Sequence, residues 1–137
     1  DLNHAIQVVL KSLLIAGVLM GTSNDIRVGY GSEHMFSAAL DSEVPRSDIL
    51  HGERVALGTI LMAKLQGQNY QGIIQILESA GCPTTIDDLE AEISPEAIVE
   101  ALKKAHKINP MYTVLGNTGL TENAALNLAL STGVISS

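Results

Sequence analysis

Four histidines and one cysteine carry most of the reactive chemistry in this chain of 137 residues. His34 and His51 stand out, because each falls in the first turn of a predicted helix, directly after a loop, where side chains converge on clefts. Each also has an acidic neighbour, Glu33 or Glu53, able to orient an imidazole or hold its tautomer. Imidazole nitrogens so placed are metal ligands in many proteins, but the gap of 17 residues between these two matches no zinc-finger pattern. Two histidines also do not complete a catalytic zinc site. On the residues alone, a shared metal site and two unrelated cap histidines both stand open.

The other reactive groups read more plainly. His4 and His106 lie on predicted helix surfaces in polar company and are expected to be solvated. Cys82 follows Gly81 at a helix end with no activating histidine near in sequence, so it reads as a small buried hydrophobe. Gly29-Tyr30-Gly31-Ser32 lacks the preceding strand and the glycine spacing of a phosphate-cradling loop. Met20, Met35 and Met62 are read as core fillers, and Lys103, Lys104 and Lys107 as positive charge at the negative end of a helix.

The elements that must position these groups are helical nearly throughout. Leu2, Ile6, Val9, Leu13, Ala16 and Met20 recur at three- and four-residue spacing, and Leu10 and Leu14 widen the stripe. That helix is expected to sit between neighbours and to stop at Gly21–Asp25. The spacing then predicts a loop over Asn24–Gly31, a short helix from Glu33 to about Leu40 capped by Ser32, and an exposed connection over Asp41–Leu50. Helices follow over His51–Leu65 and Asn69–Ala80, the latter closed by Gly81 and Pro83. Thr85 and Asp88 frame a short turn. Ser94-Pro95-Glu96 starts a helix that reaches about His106, and Thr121 opens a last one that Gly133 closes. Tyr112–Leu115 is the one extended candidate. The reading is an all-α bundle of six or seven helices.

Composition narrows the function classes. Apolar residues at 46% and charged residues at 17% suit one domain with a real core. Aromatics at 3% offer no stacking platform for single-stranded nucleic acid. A net charge of -7 repels phosphate backbones and anionic headgroups, so neither nucleic acid nor a membrane surface is an expected partner. The single cysteine fits a reducing, cytoplasmic setting. The most apolar run, Val8–Met20, is shorter than the roughly 20 residues a spanning helix needs, so no membrane insertion is expected. The start lacks the positive region of a secretory signal. It also lacks Met and opens straight into a helical pattern, which reads as a piece of something larger.

An ordered series of motifs carries a resemblance. Gly31-Ser32-Glu33-His34-Met35-Phe36-Ser37, followed by Leu50-His51-Gly52-Glu53, resembles the C-terminal helical domain of the glycerol-1-phosphate dehydrogenases. Those enzymes belong to the superfamily of iron- or zinc-dependent alcohol dehydrogenases, glycerol dehydrogenases and dehydroquinate synthases. The similarity continues through Gly58–Ala63, Gly81–Thr85, Tyr112–Leu115, Gly119-Leu120-Thr121 and Thr132–Ile135, so it covers most of the chain.

The resemblance implies a metal, Zn²⁺ or Fe²⁺, held by one Asp and two His, with the two His matching His34 and His51. The Asp and the NAD(P)-binding α/β domain would precede residue 1, leaving residues 1–137 as the C-terminal metal-binding helical domain. The implied reaction is reduction of dihydroxyacetone phosphate to sn-glycerol 1-phosphate, for ether-lipid backbones. A homo-oligomer is the expected assembly, and the fragment alone is expected to be inactive. Ser37 is a substrate-side candidate. The family's usual substrate-contacting His, four residues after the first metal His, is replaced here by Ala38, which cannot donate a hydrogen bond through its side chain. That departure keeps a glycerol or other polyol dehydrogenase open as an alternative, beside a non-catalytic helical module acting through subunit contacts.

Overall fold

In the computed structural model, which describes residues 1–45 and 48–136, every regular element among the described residues is helical. The α-helices are α1 (Leu2–Ser23), α2 (Ser32–Glu43), α3 (His51–Leu65), α4 (Tyr70–Ser79), α5 (Pro95–Lys104) and α6 (Glu122–Thr132). Short 3-10 turns cover Ile26–Val28, Ile86–Asp88 and Ala105–Lys107. The chain divides into two compact units, Asp1–Gly31 and Ser32–Ser137.

The second unit holds the core. Helix α2 packs against α3 and α5, α3 packs against α4 and α6, and α5 packs against α6. Apolar residues one turn apart meet in its centre: Phe36 and Leu40 from α2, Leu57 and Leu61 from α3, Ile98 and Leu102 from α5, all fully buried. Their spacing is the helical period that the sequence shows. Starts and stops follow the capping residues: Asn69, Ser94 and Thr121 each accept a backbone N–H, from Gly72, Ala97 and Ala124. Lys104 Nζ reaches Glu43 Oε1 at 2.8 Å and ties α5 to the end of α2.

Asp88 closes the short turn before α5. One carboxylate oxygen, Oδ2, accepts the N–H groups of Thr84 and Thr85, both at 2.9 Å. Those two donors, Thr84 first, hold its carboxyl below the usual carboxylate range. The stability contributed by a depressed folded-state pKa is present above the unfolded value and is lost as pH falls through the folded one. Asp88→Ala is therefore expected to cost about 1 kcal/mol at neutral pH and much less at low pH. Denaturant unfolding of both chains at neutral and acidic pH measures it, and equal costs at the two pH values would refute it.

The first unit is α1 with the turn that follows. Asp1 caps α1 by accepting from Asn3 N, and Asn24 ends it in the left-handed region at φ 51. Asp25 then caps the Ile26–Val28 turn by accepting from Arg27 N. No residue of α1 is buried, which corrects the expectation of a helix enclosed by neighbours. The period identifies an apolar helix but says nothing about what covers it. The helix is also longer than the apolar run at its centre: it has 22 residues, its most apolar stretch of 18 has a mean hydropathy of 1.8, and by length and composition it is able to cross a membrane. Leu2 and Ile6 extend the apolar surface beyond Val8, and Lys11 is its one Lys, Arg, Asp or Glu.

Other boundaries shift modestly. The segment expected as a loop over Asn24–Gly31 contains the Ile26–Val28 turn, and α2 runs on to Glu43 instead of stopping near Leu40. Within the predicted exposed connection Ile49 is buried, while Arg46 and Ser47 lie outside the described residues. Tyr112–Leu115 forms no strand, and Cys82 is half-buried.

His106 is the larger correction. It sits in the Ala105–Lys107 turn, half-buried, with its Nδ1 enclosed and lacking a hydrogen-bond partner among the described residues. The chain passes directly over its ring at Gly119, which has φ +67. A solvated surface histidine was expected from its polar sequence neighbours, but the returning loop covers it.

Candidate metal centre

The site is built where α2 and α3 cross. Ser37 meets His51 while Glu33 meets Gly58, so the two helices run in opposite directions and bring their N-terminal halves alongside. Gly58 makes the close approach possible. A Cβ at that position would stand 2.7 Å from Glu33 O and 3.1 Å from Glu33 Cα, closer than real contacts allow. Gly58 lies seven residues after His51, two turns along the same face of α3, and Glu33 directly precedes His34. The missing side chain thus sets how near the two histidines come.

Arg54 fixes the other end of the arrangement. Its Nη1 donates to Ile49 O at 2.7 Å and pairs with Asp41 Oδ1 at 3.2 Å, which ties the start of α3 to the end of α2. Glu53 caps the same helix start by accepting from Leu50 N at 2.8 Å. Leu50 itself has no side-chain acceptor, so only this half of a capping box is made.

The imidazoles of His34 and His51 lie side by side, with ring centroids 5.4 Å apart and planes tilted by 44°. Two rings sharing one tetrahedral metal through bonds of about 2.0–2.1 Å have centroids roughly 5 Å apart, so the spacing fits a common ion. Each ring is held through Nδ1. Glu33 Oε1 lies 2.8 Å from His34 Nδ1. An ionised carboxylate only accepts, so this contact places a proton on Nδ1 and, in the neutral ring, leaves the lone pair on Nε2. Ser37 Oγ lies 3.3 Å from His51 Nδ1. No group of three or more His, Cys, Asp or Glu side chains among the described residues forms a complete metal site, so this chain offers two nitrogen donors.

Beside His34 opens a groove of about 460 Å³ lined also by Val55, Thr59, Gln66, Gln68 and Ile73. Its only ionisable side chains are Glu33 and His34, so it presents no fixed cation to a phosphate. Ala38, one turn past His34, is half-buried.

The two histidines singled out in the sequence are neighbours in the structure. Of the two acidic neighbours, Glu33 orients its imidazole, whereas Glu53 is committed to the Leu50 cap and the group on His51 is Ser37. Ser37 was expected on the substrate side; it is buried, 1% exposed, with its hydroxyl turned to His51. Gly58 enters the sequence reading only as the first residue of the Gly58–Ala63 motif, with no packing role, because a glycine inside a helical pattern does not reveal what lies opposite it.

The comparisons with known proteins bear on this same stretch. Residues of this chain are 49% identical, over 98% of its length, to a glycerol-1-phosphate dehydrogenase of Korarchaeum cryptofilum, NAD(P)+ type, of which they match 43%. The corresponding enzyme of Pyrococcus abyssi is 44% identical over 97% of this chain and 38% of its own length. That of Staphylothermus marinus is 46% identical over 95% and 36%. Over nearly its whole length the chain is similar to a part of these glycerol-1-phosphate dehydrogenases. It spans about two fifths of the length of these curated relatives. No family model matches it. The similarity to these dehydrogenases runs over 97–98% of the chain, so the α2–α3 crossing belongs to the part shared with them.

Substituting Gly58 tests the crossing directly. An alanine in a helix interior normally stabilises by about 1 kcal/mol over glycine. Here overpacking against the Glu33 backbone costs about 1–3 kcal/mol. Gly58→Ala is thus expected to be neutral to destabilising, while Gly52→Ala, whose Cβ meets nothing within 4 Å, is expected to stabilise. Thermal unfolding of the two variants gives the comparison, and equal stabilisation by both would show that α2 has room to spare.

Proposed function

We propose that this chain is the C-terminal, metal-holding helical domain of an NAD(P)-dependent glycerol-1-phosphate dehydrogenase, a cytoplasmic enzyme that reduces dihydroxyacetone phosphate to sn-glycerol 1-phosphate for lipid backbones. The observation that carries the reading is the His34–His51 pair, 5.4 Å apart at an α2–α3 crossing within the stretch similar to those dehydrogenases. In this reading His34 and His51 supply two ligands to Zn²⁺ or Fe²⁺, and an Asp outside these residues supplies the third. Zinc suits two imidazoles and a carboxylate, which leave one position open. Bound there, the metal supplies Lewis acidity toward a substrate carbonyl.

The chain's own residues hold and shape the site. Glu33 keeps His34 in the tautomer that ligates through Nε2. Gly58 lets α2 and α3 meet. The groove beside His34 gives a small substrate room, and its neutral lining means that cations for a phosphate group come from elsewhere in the enzyme. The nucleotide is held there too, since the described residues contain no strand-loop-helix unit to bind one. The exposed apolar face of α1 is the surface that the rest of the enzyme covers, in the chain and in its oligomer, without membrane insertion.

Ala38 favours a second reading, a glycerol or other polyol dehydrogenase, because it leaves the first turn past His34 without a polar side chain toward substrate. One assay separates the readings. The full-length polypeptide containing these residues is purified, its metal content measured, and its oxidation of NADH and NADPH followed with dihydroxyacetone phosphate and with unphosphorylated dihydroxyacetone. Metal-dependent turnover preferring the phosphorylated ketone is the expected result. Preference for the unphosphorylated one establishes the polyol reading, and no turnover on either leaves a helical module without catalysis.

A further inference from the structure

We infer that Ser37 is the positioning residue of His51, holding its ring through Nδ1 so that Nε2 faces the metal; this rests on the metal reading above. Ser37 lies on α2 and His51 on α3, 14 residues apart, and the hydroxyl crosses between the helices at 3.3 Å. Ser37 is 1% exposed whereas His51 is exposed, so a buried group holds a solvent-facing one. Glu53, the acidic neighbour in sequence, is occupied by the Leu50 N–H and does not take that role.

The two histidines are thereby held by different chemistry. Glu33 accepts only, and it enforces one tautomer on His34. A serine hydroxyl both donates and accepts. It fixes the orientation of the His51 ring while letting the proton sit on either nitrogen, and it accepts from Nδ1–H once a metal takes Nε2. His51 is then the ligand that adapts as metal enters, on a ring already turned toward it. Outer partners of this kind contribute about 10- to 100-fold in metal affinity.

The test uses the full-length polypeptide containing these residues, with ¹⁵N-labelled histidine, as wild type and as Ser37→Ala, Ser37→Thr and His51→Ala, the His51 resonances being assigned by their loss in His51→Ala. Without metal, the Nδ1 resonance of His51 should differ from that of the exposed His4, should move toward it in Ser37→Ala, and should be retained in Ser37→Thr. With Zn²⁺ added, Ser37→Ala should bind about 10- to 100-fold more weakly than wild type, and Ser37→Thr should recover most of the loss. Melting temperatures of the variants separate this from general unfolding, which would move the histidine resonances together, those of His4 and His106 included.

A His51 Nδ1 resonance like that of His4 in the wild type overturns the inference without any variant. So does zinc affinity lost in His51→Ala but unchanged in Ser37→Ala, an outcome that leaves the metal reading standing. Zinc binding indifferent to His51→Ala refutes the metal reading, and the part of the inference that gives Nε2 to the metal falls with it.

Discussion

His34→Ala and His51→Ala, made singly in the full-length polypeptide, are each expected, on the proposed metal-dependent reduction, to lower turnover of dihydroxyacetone phosphate by roughly a thousandfold or more. A factor of that size corresponds to about 4 kcal/mol of barrier, the scale on which a bound metal stabilises charge on a carbonyl oxygen. In the proposed site, losing one of three protein ligands removes the ion or leaves it misplaced, so metal content per chain should fall with activity. Stability should hardly change. The His34 side chain is 24% exposed and His51 is exposed, and truncations at such positions usually stay within about 0.5 kcal/mol. Glu33→Gln is a graded companion: an amide can donate as well as accept, the tautomer of His34 is no longer enforced, and a loss of about 10- to 100-fold is expected. The measurements are kcat/KM, bound metal and Tm for each variant. A His51→Ala enzyme that keeps its metal and its rate would remove His51 from the site.

Gly119→Ala is expected to cost the fold about 2–5 kcal/mol. Two penalties add. Gly119 has φ +67, a conformation that costs an L-residue roughly 1–2 kcal/mol. Its new Cβ would also lie 2.1 Å from His106 Nδ1, far inside van der Waals contact, and the half-buried ring must move. Displacing packed side chains costs about 1–3 kcal/mol. A double-mutant cycle resolves the two contributions. In a His106→Ala background the clash disappears, so Gly119→Ala should there cost only the backbone part. Denaturant unfolding of the four chains measures the coupling, and a cost independent of residue 106 would mean that the ring yields freely. The Gly133 position offers a control, because its φ of +77 comes with no atom within 4 Å of a Cβ; Gly133→Ala should show the backbone cost alone.

Helix positions in this protein are local matters, and local chemistry in the chain announces them. Ser94-Pro95, Thr121 and Asn69 start helices because a side-chain oxygen meets backbone N–H groups within three residues, and Gly81 and Gly133 stop them because only the left-handed region lets the chain turn out. The buried faces were equally plain, since residues a turn apart must share one side of a helix whatever that side meets. His34 and His51 could be singled out for the same reason, as reactive side chains at helix starts.

What those faces meet is decided by contacts far apart in sequence, and these leave no periodic trace. Glu53 is the nearer acid to His51 along the chain, yet the group that touches the ring is Ser37, which became a neighbour only when α2 and α3 crossed. Gly58 is conspicuous only once the Glu33 backbone lies against it, and Gly119 only once His106 stands beneath it. The stripe on α1 promised burial, but burial requires a second surface, and a helix carries in its own residues the need for one without its identity. An apolar face and a capped end are properties of a segment. A distance between two imidazoles is a property of the packing, set here by an absent side chain on one helix and a backbone carbonyl on the other.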